Sequence, residues 1–120
     1  MLYALLCYND ESTVFAWSQE EDAAVMGRLA KVHDKWQGKL KHGIRLMPTS
    51  AATTLRKADD VVLDGPYAET KEQLLGFYIL EAENLEEALR FSRELAVANP
   101  GGAYEVRPVM LTDEDLPRVG

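Results

Sequence analysis

Two amphipathic helical stripes, each opened by its own capping signal and set among short strand-like runs, constrain this chain more than any other feature of its sequence. Ser18 with Glu21, and Asn84 with Glu87, have the three-residue spacing in which a side-chain oxygen takes up a free backbone N–H of the first helical turn. After the first cap, Val25, Leu29, Val32, Trp36 and Leu40 recur at spacings of four and three, the period of one helix face. Gly38 interrupts this stripe at a cost of about 1 kcal/mol relative to alanine. Lys39, Lys41 and His42 suit the negative end of a helix dipole, and Gly43 suits a left-handed cap, so the pattern predicts a helix running to about residue 42. After the second cap, Leu85, Ala88, Leu89, Ser92, Leu95 and Ala96 draw a further stripe, which Asn99-Pro100-Gly101-Gly102 ends.

Strand-like runs surround these stripes: Met1 to Tyr8, Ile44 to Met47, Ala52 to Arg56, Val61 to Leu63, Gly76 to Glu83 and Ala103 to Val109. The order is β-α-β-β-α-β with an elaborated middle, an α+β, ferredoxin-like plan in which both helices cover one face of an antiparallel sheet. In the first strand Leu2, Ala4 and Leu6 oppose Tyr3, Leu5 and Cys7, and Phe77 and Ile79 likewise oppose Tyr78 and Leu80. A sheet with a wet side alternates polar and apolar residues, so two apolar faces predict a cover for the second one. Both helices are committed to one face, and the expectation is therefore a homodimer in which the open sheet faces pack together. Residues 1–110 read as a single domain, and 111–120 as an acidic C-terminal tail, solvated or loosely docked.

Composition narrows the function. The 120 residues carry 13 basic against 20 acidic side chains, a formal net charge of -7, and no Lys/Arg cluster offers a phosphate-neutralising stripe, so neither nucleic acid nor an anionic membrane is expected as a partner. Cys7 is the single cysteine; it permits no intrachain disulfide, suits a small buried hydrophobe, and fits a reducing cytoplasm. The apolar N-terminus lacks a basic start and ends at Asn9-Asp10-Glu11, which reads as a first strand and not as a signal. Two histidines and one cysteine, with no His-x-x-x-His or Cys-x-x-Cys spacing, give no support for a metal site. Glycine-rich nucleotide loops and the Gly-x-Ser-x-Gly elbow are absent from the sequence, so no cofactor is expected.

Candidate site residues centre on the run Asp64-Gly65-Pro66-Tyr67-Ala68-Glu69-Thr70-Lys71-Glu72-Gln73, which leads into Gly76-Phe77-Tyr78. Acid, glycine, proline and aromatic in succession make a stiff turn. Asp64 is a candidate general acid or base if burial raises its pKa, and the competing role is to close an Asx-type turn through a backbone hydrogen bond. Thr70 is placed to cap a short helical turn, with Glu69, Lys71 and Glu72 solvated around it. By alternation Tyr3, Tyr8, Tyr78, Glu105 and Arg107 are candidates to line a cavity left between paired sheets. Arg107 suits bidentate recognition of a carboxylate, or else pairs with an acid near the sheet edge. His33 sits beside the first apolar stripe, as a boundary histidine or a base.

The motif run resembles the DGPF motif of the YCII-related family, with Tyr67 where phenylalanine is typical. The similarity covers nearly the whole chain: Met1 to Leu6, Ala52 to Arg56, the motif leading into Tyr78, Asn84 to Ala88, and Glu105 to Val109. The resemblance implies a dimeric ferredoxin-like α/β barrel and a cleft into which Asp64 projects. It also implies an aspartate and histidine acid-base pair, here Asp64 and His33, with at least one dehalogenating, lyase-like relative.

Two functions compete. One is a small cofactor-free enzyme with lyase- or isomerase-like chemistry, in which Asp64, helped by His33 or Tyr67, moves a proton on a small organic acid oriented by Arg107 or Lys71, with Tyr78 at the substrate. The other is a non-catalytic dimer that binds a small ligand or a protein, with the motif loop, Phe15 and Trp17 as its contact surface. Since members of the resembled family often occur alongside transcription sigma factors, the second reading implies an accessory role in transcription regulation.

Overall fold

The computed structural model describes residues 1–118. Its strands are β1 (Leu2–Asn9), β2 (Leu40–Arg45), β3 (Thr53–Arg56), β4 (Val61–Asp64), β5 (Gln73–Glu81) and β6 (Ala103–Pro108). Its helices are the single turn α1 (Glu11–Val14) and the longer α2 (Gln19–Lys35) and α3 (Leu85–Ala98). Four strands form one antiparallel sheet in the order β2-β5-β1-β6, with α2 and α3 packed together on one side. This is the ferredoxin-like arrangement, with the β3–β4 hairpin inserted between its second and third strands.

Both long helices begin where their caps predict. Ser18 Oγ accepts from the backbone N–H of Glu21 at 3.0 Å, and Asn84 Oδ1 from that of Glu87 at 3.0 Å. The end of α2 departs from the sequence pattern. The helix stops at Lys35, with Trp36 as its cap, and does not run to residue 42. Gly38 adopts φ +95°, a left-handed turn instead of a helical interruption, and the chain enters β2. Leu40 lies opposite Leu80 and packs on the core from the sheet, so its apolar character fits a strand as well as it fits the helix stripe. His42 and Gly43 are accordingly strand residues and not parts of a helix end.

The core lies between the helices and the inner face of the sheet. Phe91, Leu5, Leu80 and Leu95 are fully buried there, each contributing about 1.5–3 kcal/mol over an exposed side chain. Edge-to-face contacts run from Trp36 to Phe91 (5.2 Å), from Phe91 to Tyr78 (5.6 Å) and from Tyr78 to His33 (5.3 Å). Tyr3 and Tyr78 therefore point under the helices, which overturns the expectation that alternation places them between paired open faces. Glu105 and Arg107 do fall on the open face, beside Ala4 and Leu6.

The hairpin stands away from this body. With the hairpin extended, the radius of gyration of the described chain is 16.4 Å, beyond the about 14 Å of a compact fold of this length. Leu55, Val62 and Leu63 on it are exposed. After β6, Thr112 and Asp115 cap one another across a short 3-10 turn; positions 119 and 120 of the acidic tail lie outside the described residues. Among the described residues no helix is long and apolar enough to cross a membrane.

Candidate functional site

His33 Nε2 and Tyr78 Oη lie 2.9 Å apart, on α2 and β5. The contact depends on Gly43, directly opposite Tyr78 on β2: a Cβ at position 43 would come within 3.0 Å of the Tyr78 ring. Burial pushes His33 below its ordinary value and pushes Tyr78 well above its own, the latter with help from neighbouring Cys7 and Tyr104. Near neutral pH the pair is thus an uncharged imidazole against a protonated phenol. Its two tautomers differ only in whether Nε2 accepts from Oη or donates to it, which is the setting for passing a proton to a third group.

Beside Tyr78 a cavity of ≈ 100 Å³ opens at the end of the sheet. Register explains it. Across the helix-side face the cross-strand row reads Arg45, Gly76, Cys7, Tyr104. Two small residues in the middle leave a hollow that larger ones would fill. Trp17, Met26 and Leu29 roof it, so Trp17 is a half-buried wall and not the open contact surface expected of it. Phe15 remains exposed, with the Arg45 guanidinium 5.9 Å from its ring and the same guanidinium 2.9 Å from Asp22. Burial pushes both the Cys7 thiol and the Tyr104 phenol up to about 12, so both line the cavity uncharged.

The motif occupies a second region. Asp64 ends β4 opposite Thr53, exposed, and its carboxylate accepts no hydrogen bond among the described residues. The turn is closed instead by Gly65 N–H donating to Ala52 O at 2.7 Å and by Thr54 Oγ1 donating to Gly65 O at 2.8 Å, with Gly65 at φ +96°. The expected Asx closure by Asp64 is absent for that reason. Thr70 caps no helical turn either; its hydroxyl donates to the carbonyl of Glu72. Pro66 to Thr70 form one wall of an open groove of ≈ 850 Å³, with Tyr8, Leu46, Thr49 and Leu74 facing them.

Glu11, which the sequence did not single out, and Gln73, the last residue of the motif run, hold this groove together. Glu11 accepts from the Thr49 backbone at 3.0 Å and from the Thr49 hydroxyl. Gln73 accepts from Glu11 N–H at 2.9 Å and donates to Thr70 O at 2.6 Å. The motif loop is thereby tied to the start of α1. No local pattern marks this clamp, since its members are 38 and 62 residues apart.

Of the sequence candidates, the fold brings His33 and Tyr78 together. It keeps Asp64, Tyr67 and Lys71 on the arm formed by the β3–β4 hairpin and on the loop that follows it, and sets Arg107 on the open face in an ion pair with Glu105. No hydrogen bond, ion pair or cavity among the described residues joins Asp64 to His33 within one chain. Nor is there, among the described residues, any group of three His, Cys, Asp or Glu side chains placed to hold a metal ion.

Comparison with known proteins places these features. The family model described as the YCII-related domain matches residues 1–113. An uncharacterized protein of Rhizobium meliloti (strain 1021) is 57% identical over 116 residues, covering 92% of this chain and 94% of its own length.

Proposed function

The chain belongs to the YCII-related domain family, and on that premise we propose that it is a homodimeric, cofactor-free enzyme that moves a proton on a small organic acid. The observation that carries the reading is the 2.9 Å pairing of His33 with Tyr78. His33 takes a proton from the carbon next to the carboxylate; the C–H electron pair passes into an enediolate, and a proton is returned to the same carbon as the enediolate collapses to the carboxylate. Asp64 is the second acid-base group, in keeping with a motif carboxylate that no backbone donor occupies. Tyr67, Lys71 and Arg107 are the polar contacts offered to the acid.

The dimer enters through two exposed surfaces. Leu2, Leu6, Phe77 and Ile79 share the open face by alternation, and the arm leaves Leu55, Val62 and Leu63 in water. A second copy that packs face against face covers both under two-fold symmetry. Asp64 and His33 stand apart within a protomer, so in this reading the arm of one subunit delivers Asp64 to the other. The protein works in a reducing cytoplasm, with Cys7 as a free thiol.

The test is hydrogen exchange at the α-carbon of a panel of small organic acids in D₂O, followed by proton NMR. Exchange is expected for the parent, with loss in His33→Gln and in Asp64→Asn. Mixing the two inactive variants restores part of the activity, because a mixed dimer holds one intact site. Undiminished exchange in His33→Gln overturns the reading.

A second reading, a non-catalytic ligand- or protein-binding dimer with an accessory role in transcription regulation, is favoured by one observation: Tyr67 is 87% exposed on a loop held in place by Gln73. Here a stoichiometric partner from native extract is lost in Tyr67→Ala, and no acid in the panel exchanges.

A further inference from the structure

We propose that the cavity at the end of the sheet binds a small single-ring monoanion, its ring lying on the Cys7–Gly76 pair and its carboxylate held by Arg45. The cross-strand row supplies the shape. Neighbouring strands lie about 4.8 Å apart, so two adjacent positions without bulk clear a slot about one ring wide between Arg45 on one side and Tyr104 on the other. Gly76 cannot carry a side chain there, because a Cβ would sit 2.1 Å from the Ile44 carbonyl oxygen. The floor of the slot is therefore fixed by backbone. At ≈ 100 Å³ the cavity is smaller than the about 150 Å³ that encloses benzene, which limits the guest to one ring with its carboxylate projecting at the open mouth.

Charge sets the orientation. Arg45 is the one cationic side chain lining this cavity among the described residues, and it stands at a mouth open to solvent with its side chain 42% exposed. Asp22 pairs with Nη2 at 2.9 Å, and the five N–H donors of a guanidinium exceed what that one contact uses. The inner end of the slot holds only neutral groups, the Cys7 thiol and the Tyr104 phenol, which repel no anion and offer donors to a ring substituent. Asn99 adds a second sign of an unfilled site: it lines the cavity, and its Oδ1 is buried with no hydrogen-bond partner among the described residues. Trp17 in the roof and Tyr104 in the wall present aromatic surface to a flat guest.

The inference goes beyond the proton-transfer reading and does not rest on it, since it assigns a binding site in which Arg45 is the partner of the anion. Binding is measured separately. The probe is benzoate, with benzyl alcohol as the uncharged control, and the readout is the Trp17 indole N–H shift in a proton-nitrogen spectrum of the full chain. Benzoate is expected to shift it saturably; Arg45→Gln weakens benzoate by about tenfold and leaves benzyl alcohol within about twofold. Cys7→Met fills the slot from its floor and abolishes both, and Met26→Phe fills it from the roof should the first variant fail to fold. His33→Gln leaves benzoate affinity within about twofold, so failure of the proton-transfer chemistry and failure of binding are told apart. No saturable shift with benzoate, or equal affinity for the two probes in parent and Arg45→Gln alike, overturns the proposal.

Discussion

His33 Nε2 and Tyr78 Oη meet at 2.9 Å across the gap that Gly43 leaves on β2, so one missing methyl group lets a core tyrosine reach a helix-face histidine. That relationship links the packing of the fold to its candidate chemistry, because Tyr78 also meets Phe91 edge to face at the centre of the core and walls the end-of-sheet cavity.

Glycine 43 is the simplest place to break the link. Gly43→Ala puts a Cβ 3.0 Å from the Tyr78 ring edge, which has to give by a few tenths of an ångström, at a cost of about 1 kcal/mol. Gly76→Ala meets backbone instead, 2.1 Å from Ile44 O, and costs about 3 kcal/mol or more. Urea unfolding of the two variants should rank them in that order.

Acid stability depends on His33. Its folded-state pKa lies below the ordinary value of 6.5 because burial disfavours the charged ring. The unfolded chain therefore binds the proton more readily, and the stability contributed by the neutral ring is present above pH 6.5 and lost as the pH falls through the folded value. Thermal midpoints of the parent should drop more steeply below pH 6.5 than those of His33→Gln.

Asp64 should be dispensable for folding. Its carboxylate accepts no hydrogen bond among the described residues, so Asp64→Ala and Asp64→Asn should both lie within about 0.5 kcal/mol of the parent. Thr54→Val, which removes the hydroxyl that closes the turn, should cost about 1 kcal/mol. A thermal-shift series over the three variants distinguishes the residue that holds the turn from the one that is free.

Gln73 should govern the order of the motif loop. Gln73→Ala removes the acceptor for Glu11 N–H and the donor to Thr70 O, costs about 1 kcal/mol, and should raise amide hydrogen exchange across residues 66–72 while leaving α3 protected.

Much of the fold could be read from local pattern, and much of the site could not. The second long helix carries its cap, stripe and stop within one stretch of chain, so nothing distant had to be known. The two-faced character of β1 followed from period-two alternation alone. The end of α2 misled because Leu40 satisfies a helix face and a buried strand position equally, and only pairing with β5 decides between them. The local Asp-Gly-Pro signal suggested closure by Asp64, whereas Thr54, a hairpin strand away, reaches the same turn. Gly43 facing Tyr78, and the row of Arg45, Gly76, Cys7 and Tyr104, exist only once three registers are set between segments far apart in sequence.

The most direct test of the central claim is an NMR pH titration of His33 in a His42→Gln background, where it is the only histidine, with and without Tyr78→Phe. The paired, neutral imidazole predicts titration below 6.5 and a change in the Nε2 resonance when the phenol oxygen is removed. Titration at or above 6.5, with an Nε2 resonance indifferent to Tyr78→Phe, would contradict it.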